Sequence, residues 1–347
     1  MGKYQKTAIF SEAMDTAGQP LETCFARVGA NTGNLAFFRG IQKLFRPDFL
    51  RPAWGLSANE EKLSQYDAFL TTDLIWIPQN QVYPNTEKIL NAIGDRPLIP
   101  ISVGLQCNSY DADFQMHPDT VRLLKRLEER CVIGVRGNYT AQILSDRGIR
   151  NIEVIGCPSV FYREEYRFTE REGEPKTVCN FKTFWGRCRA WEIELLKYFC
   201  EKNLPFIEQT RQPVTELKNE DCSRFVPWLE KQRHLFFNTA QWDAFLQNYD
   251  FSIGMRFHGN VIAMQNGLRA LFVVSDSRTR ELTEYFGLPV LEAKEFDSKK
   301  TLEEYWEMAK PTEFLTRLPV LRKRLESFAD KNNLILYETQ TCRNIDR

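Results

Sequence analysis

Hydrophobic and polar positions in this chain keep switching between two periods. Apolar runs of strand length are followed by stretches whose apolar residues fall three and four apart. Glu22–Val28 reads as a strand, and Asn31-Thr32-Gly33-Asn34 as a turn that opens a helix near Leu35–Phe45. Ala68–Ile77 and Leu98–Val103 read as strands, the second ending at Gly104. Pro118–Arg130 carries Val121, Leu123, Leu124 and Leu127 at helical spacing. Cys131–Val135 reads as a strand, Tyr139–Arg147 as a helix stopped by Gly148, and Ile152–Ile155 as the next strand.

The alternation breaks at Tyr162–Lys176, a highly charged stretch without a long apolar run that ends in Gly and Pro, as a domain linker would. Strands resume at Thr177–Asn180, Leu204–Gln209, Phe251–Gly254 and Leu271–Val274. Helices are expected at Ala190–Lys202 and Thr239–Gln247, and Pro311–Glu338 is expected to form one or two closing helices. Strand–helix alternation of this kind predicts open, mostly parallel sheets covered by helices. The expected fold is therefore α/β: two Rossmann-like domains facing a cleft. The expected division is residues 1–165, residues 175–310 and closing helices over 311–347.

Composition narrows the function. A length of 347 residues exceeds what one core usually fills, in keeping with two domains. Forty-six basic residues balance 46 acidic ones, so bulk charge gives no footing for nucleic acid. The longest apolar runs are of strand length, far below the roughly 20 residues of a membrane span. MGKYQKTAIF lacks the apolar stretch of a signal peptide, and Lys6 stands where N-myristoylation wants Ser or Thr. The nine cysteines include no C-x-x-C pair and fit reduced, buried thiols in a cytosolic protein. The three histidines, His117, His234 and His258, form no H-x-x-x-H pair, so no metal site is expected.

The strongest cluster of chemistry-bearing residues follows an apolar strand: Gly254-Met255-Arg256-Phe257-His258-Gly259-Asn260, running into a helix with Val261 and Ile262. Gly259 lets backbone approach a ligand, the helix N-terminus favours an anion, and Arg256 adds a cationic fork. His258 stands beside them as a proton donor or acceptor. The competing account makes His258 a helix cap and pairs Arg256 with a surface carboxylate. Arg136, in Gly134-Val135-Arg136-Gly137-Asn138, ends another strand and is expected to face the same crevice. Gly29-Ala30-Asn31-Thr32-Gly33-Asn34 suits close approach of an acceptor or a phosphate, and ordinary turn chemistry accounts for it as well. Arg278 and Arg280 follow Asp276 and Ser277, which suit the N-cap of a helix.

In these places the sequence resembles the polysaccharide pyruvyl transferase family. Met255-Arg256-Phe257-His258-Gly259 is similar to its Arg-x-His-Gly motif, and Asn31-Thr32-Gly33-Asn34 to its early Asn-x-Gly-Asp turn. Val135-Arg136 through Gly148, Gly156-Cys157-Pro158 through Phe161, and Glu284 through Pro289 are similar to its intervening and later segments. The resemblance implies a glycosyltransferase-B-like fold and transfer of a pyruvyl group from phosphoenolpyruvate to two hydroxyls of a saccharide, or of a lipid-linked saccharide, closing a ketal. It implies His258 as acid/base and Arg136, Arg256, Gly259 and Asn260 at the donor, in the C-terminal domain. Asn31, Gly33, Asn34 and Arg278 are then expected at the acceptor or along the cleft. No cofactor is expected beyond phosphoenolpyruvate as co-substrate. The place of action is expected in the cytoplasm, with at most peripheral contact at the inner face of the membrane; a homo-oligomer stays open. Bound donor is expected to favour protonated His258 over the opposing helix terminus. Two departures stand out: Asn34 replaces the family's Asp, and Leu268-Arg269-Ala270 stands where the family often has Pro. The alternatives are a nucleotide-sugar glycosyltransferase on the same scaffold and a carbohydrate-binding relative without catalysis.

Overall fold

A computed structural model describes residues 2–11, 16, 18–50, 63–111, 113–181, 189–210 and 224–337. Cys188, Cys222 and Cys342, the end of the closing segment from Glu338 onward, and Met1 lie outside the described residues.

The N-terminal half forms a parallel sheet from β1 (Thr7–Phe10), β2 (Asp48–Leu50), β3 (Ala68–Thr71) and β5 (Leu98–Pro100), in the order β2-β1-β3-β5. A bridge between Val103 and Val135 carries it on to β7 (Ile133–Val135) and its parallel partner β8 (Ile152–Val154). A short parallel ribbon of β4 (Ile77–Pro78) and β6 (Leu105–Gln106) stands beside it. The C-terminal half is one six-stranded parallel sheet: β9 (Thr177–Asn180), β10 (Phe206–Glu208), β11 (Arg233–Leu235), β12 (Phe251–Gly254), β13 (Arg269–Val274) and β14 (Val290–Glu292). Its order, β11-β10-β9-β12-β13-β14, reverses between β9 and β12. Open α/β sheets bind ligands at such a reversal, beyond the carboxyl ends of the strands. The molecule thus has the two facing Rossmann-like domains that the strand–helix alternation predicts.

Strands and helices form largely where the apolar pattern places them. α2 (Asn34–Phe45) buries Leu35, Phe37, Phe38, Ile41, Leu44 and Phe45, and α4 (Pro118–Glu128) buries Leu123, Leu124 and Leu127. Three expectations need correction. Glu22–Val28 is not a strand: Leu21–Arg27 is helix α1, with Cys24, Phe25 and Val28 buried on one side. Their spacing, i, i+1 and i+4, is helical. Ala68–Ile77 is not one strand; a 3-10 turn over Asp73–Ile75 breaks it, and β4 follows. Leu98–Val103 is regular only to Pro100, after which Ser102 takes a left-handed φ of 63°.

No helix or strand occurs over residues 163–176. This segment is fastened to the C-terminal sheet, where Thr169 N–H donates to the Gly267 carbonyl at 2.8 Å and Arg171 pairs with Asp250 at 2.5 Å. The last long helix, Thr312–Lys331, crosses back to the first domain. Its Phe314, Leu318, Leu321, Leu325 and Phe328 share one apolar core with Ile9, Phe37, Leu70 and Ile99. Beyond it, Asn332 donates to the Val132 carbonyl and accepts from Val132 N–H, and Asn333 accepts from Tyr4 N–H.

Among the described residues no helix is long and apolar enough to cross a membrane. Four of the six described cysteines, Cys24, Cys131, Cys157 and Cys179, are buried thiols.

Candidate functional site

The reversal between β9 and β12 is built on buried amides. Asn180, the last residue of β9, accepts the Arg256 backbone N–H at 2.7 Å and donates to Asn260 Oδ1 at 2.7 Å. Asn260 also accepts from Ser252 Oγ at 2.8 Å and donates to the Gly254 carbonyl at 3.0 Å. Gly254 has φ +157° and packs directly on the Asn180 carbonyl, which leaves no room for a side chain. These bonds fix the sharp turn from β12 into helix α9 (Phe257–Gln265). The sequence expectation places Asn260 at the donor; instead its amide is wholly buried and committed to the turn, one layer beneath the site surface.

Arg256 precedes α9, and no side chain caps that helix. Its Nε donates to the Phe181 carbonyl at 3.1 Å and its Nη2 to Thr210 Oγ at 3.1 Å. Thr210 in turn donates to Glu208 Oε1, which also accepts the N–H groups of Gln209 and Thr210. The fork is thereby aimed by the carboxyl ends of β9 and β10. Burial lowers its pKa to about 10, against the pull of Glu208.

The Asn31–Asn34 turn docks here from the other domain. Thr32 N–H donates to the Gln209 carbonyl at 2.8 Å, and Asn31 bridges Thr210 in antiparallel fashion. The Gln209 side chain lies between two glycines: a Cβ on Gly33 or on Gly259 would come within 2.5 Å of its amide, and one on Gly33 within 3.1 Å of His258 Cβ. Both glycines are thus required for the domains to meet at His258. Asn31 Oδ1 accepts Gly33 N–H at 3.0 Å, and Asn34 Nδ2 donates to the Val28 carbonyl at 2.9 Å. The second bond accounts for the amide at position 34, since an ionised Asp has no proton to give that carbonyl.

Arg136, at the end of β7, is buried with its guanidinium against Gly104. Nη2 donates to the Ile75 carbonyl at 2.7 Å, while Nε and Nη1 are buried without a partner among the described residues. Burial, then repulsion from Arg278, lowers its pKa to about 10. Arg278 is the second residue of helix α10 (Ser277–Phe286), which Asp276 caps through Thr279 N–H at 2.8 Å. Among the described residues, Arg136, Arg256 and Arg278 form no ion pair with a carboxylate. The Arg278 charge acts on both Arg136 and Arg256, and Arg278 and Arg136 act on His258.

His258 is therefore held neutral in the free protein: burial, with Arg278 and Arg136, lowers its pKa to about 3. Its Nε2 lies 3.4 Å from Cys157 Sγ, and that thiol sits 3.0 Å from Ser159 Oγ. Burial raises the Cys157 pKa, so the thiol stays protonated. Sequence reasoning did not single out Cys157, Glu208, Gln209 or Thr210.

The domains also meet at Glu281. Helix α5 (Asn138–Asp146) begins after Gly137, which offers no capping side chain. Glu281 of the opposite domain packs on Gly137 and supplies the cap, accepting Thr140 N–H at 2.6 Å and Thr140 Oγ at 2.9 Å.

Arg136, Arg256 and Arg278, the N-terminus of α9 without a side-chain cap and a neutral imidazole thus lie within one electrostatic neighbourhood. The arrangement suits a small polyanion whose charge replaces absent carboxylate partners. Among the described residues, no cluster of His, Cys, Asp and Glu could hold a metal ion.

The family model for polysaccharide pyruvyl transferase matches residues 67–277, more than half of the chain, and includes Arg136, Arg256 and His258. No curated protein matches. Among solved structures, a UDP-N-acetylglucosamine 2-epimerase has 12% identity and a TM-score of 0.48, covering 95% of this chain and 96% of its own. A putative UDP-N-acetylglucosamine 2-epimerase from Listeria monocytogenes has 9% identity and a TM-score of 0.45, covering 98% and 93%. An uncharacterized protein from Klebsiella pneumoniae subsp. pneumoniae has 12% identity and a TM-score of 0.42, covering 81% and 87%.

Proposed function

This chain belongs to the polysaccharide pyruvyl transferase family, an enzyme family, and from that premise we propose that it transfers a pyruvyl group from phosphoenolpyruvate to two hydroxyls of a saccharide. The observation that carries the donor assignment is that Arg136 and Arg278 both act on His258, and Arg278 on Arg256, while none of the three arginines pairs with a carboxylate among the described residues. Phosphoenolpyruvate brings a phosphate and a carboxylate together, and three cations match that charge. The N-terminus of α9 suits the phosphate.

His258 starts neutral. The negative donor offsets the two arginines that depress the imidazole pKa, and so favours its protonation. The imidazolium gives a proton to C3 of phosphoenolpyruvate, turning CH2 into CH3 and leaving C2 electrophilic. A sugar hydroxyl forms a bond to C2, and neutral His258 takes up its proton. The C2–O bond to phosphate breaks, and the second hydroxyl closes the ketal while its proton leaves with phosphate. No cofactor enters this scheme. Phosphoenolpyruvate keeps the reaction in the cytoplasm, and a lipid-linked acceptor would bring only peripheral contact with a membrane.

The test incubates the protein with phosphoenolpyruvate and a panel of nitrophenyl and lipid-linked sugars, following phosphate release and product mass. The expected product gains one pyruvyl ketal, and His258→Ala abolishes it. Product formed only from nucleotide sugars overturns the reading in favour of a glycosyltransferase.

A further inference from the structure

We propose that the acceptor is a neutral sugar, and that its ring lies in an open groove at the end of the β4–β6 ribbon, outside the Arg-x-His-Gly turn. This inference rests on the pyruvyl-transfer reading and specifies its second substrate. The groove has a volume of about 550 Å³, and its lining includes Gln79, Gln106, Asn108, Ser109, Tyr110 and Asp111.

Three observations support a sugar. The lining is amide, hydroxyl and aromatic, and carries one charge, from Asp111. Carboxamides both donate and accept, as sugar hydroxyls do. Tyr110 is 39% exposed and stacks on Tyr139 at 4.6 Å, so it offers a supported ring face to the C–H face of a pyranose. A groove without a cation, bearing a carboxylate, disfavours anionic sugars and nucleotides.

Its position fits the reaction. Both segments leading into the ribbon touch Arg136: the Ile75 carbonyl accepts from its Nη2, and Gly104 lies against its guanidinium. Gln106 is two residues beyond Gly104, about 7 Å along a strand at the usual rise. The groove is also tied to the other domain. Cys107 N–H donates to Ser277 Oγ at 3.1 Å, and Ser277 N–H donates back to the Cys107 carbonyl at 3.1 Å, next to Arg278. Tyr110 OH donates to Glu284 at 2.6 Å. By contrast, the Asn31 and Asn34 side chains, expected at the acceptor or along the cleft, already bond to their own turn.

The test uses the full chain with p-nitrophenyl β-galactoside, α-mannoside, β-N-acetylglucosaminide and β-glucuronide. Saturation-transfer NMR reads sugar binding, and calorimetry reads phosphoenolpyruvate binding. At least one neutral glycoside is expected to bind, and the glucuronide at least tenfold more weakly. The isosteric Asn108→Asp and the double variant Gln106→Ala/Asn108→Ala should weaken neutral-sugar binding at least tenfold, with phosphoenolpyruvate affinity within twofold of the parent. Neutral sugars that bind the variants as tightly as the parent, or that do not bind the parent, overturn the proposal; so does equal binding of the glucuronide. Turnover separates the two ideas: sugar binding lost in the variants, with no ketal from any parent reaction, sinks pyruvyl transfer and leaves a sugar groove. Ketal formation whose acceptor KM ignores these substitutions sinks the groove alone.

Discussion

Replacing Glu281 by Gln should stabilise the protein at neutral pH and leave it little changed in acid. The Glu281 carboxyl is 2% exposed and accepts two bonds from Thr140. Burial outweighs those bonds and raises its pKa from the ordinary 4.5 to about 6. The rise from 4.5 to about 6 corresponds to roughly 2 kcal/mol. The folded protein holds this proton more tightly than the unfolded chain. The stabilising contribution is therefore complete below pH 4.5 and is lost as pH rises through about 6. A glutamine keeps an oxygen for Thr140 N–H, presents N–H to a hydroxyl that can accept it, and does not titrate. The stability of Glu281→Gln relative to the parent should accordingly increase by roughly 2 kcal/mol between about pH 4.5 and 7. Equilibrium urea unfolding of both proteins, followed by tryptophan fluorescence across that range, reads the difference directly. A difference that is flat, or that shrinks toward neutrality, refutes the account of Glu281 as a buried carboxylate held at a cost.

The remaining expectations concern the cleft itself. With only three histidines in the chain, proton NMR can follow each imidazole; His258 should stay neutral down to about pH 4 and titrate near 3, moving up on addition of phosphoenolpyruvate. A midpoint near the ordinary 6.5 in the free protein contradicts the electrostatics described. Arg136→Met removes a buried cation and with it the donor to the Ile75 carbonyl, so phosphoenolpyruvate affinity should fall at least tenfold while the two stability effects oppose each other; unchanged affinity in calorimetry counts against a donor role. Asn34→Asp should cost about 1–3 kcal/mol in urea unfolding at pH 7, because an ionised carboxylate cannot donate to Val28. The cost should shrink near pH 4, where the acid regains a proton, and an equal cost at both pH values refutes the hydrogen-bond explanation.

The four central strands of the C-terminal sheet were readable in the sequence because they are buried on both faces, whereas the partly exposed edge strands β11 and β14 were not. Thr177–Asn180 and Phe251–Gly254 form where the pattern puts them, and the turn between Gly254 and Gly259 announces its own geometry. Glu22–Val28 carried the helical spacing all along, but its β-favouring Thr, Cys, Phe and Val concealed it over so short a span. β1 is only four residues long, too short for periodicity to identify, although it lies inside the sheet. The site was legible only in part. Arg136, Arg256 and His258 stand at strand ends where motif and chemistry coincide. Cys157 reaches His258, and Gln209 meets Thr32 and Gly33, through the docking of one domain on the other, and no local pattern carries that distance. Asn260 shows the opposite difficulty: a polar residue inside a motif can serve the turn alone, and only its hydrogen bonds reveal the difference.

The returning helix at Thr312–Lys331 has a consequence for how the molecule is made. Its apolar residues complete a core begun by Ile9 and Phe37, so the first domain lacks one wall until residues 312–331 have been synthesised. During translation the leading half must wait with that surface uncovered, and severing the chain at the 163–176 segment would give two fragments, the earlier of them missing a piece of its own interior. The two domains are therefore successive in sequence but simultaneous in folding.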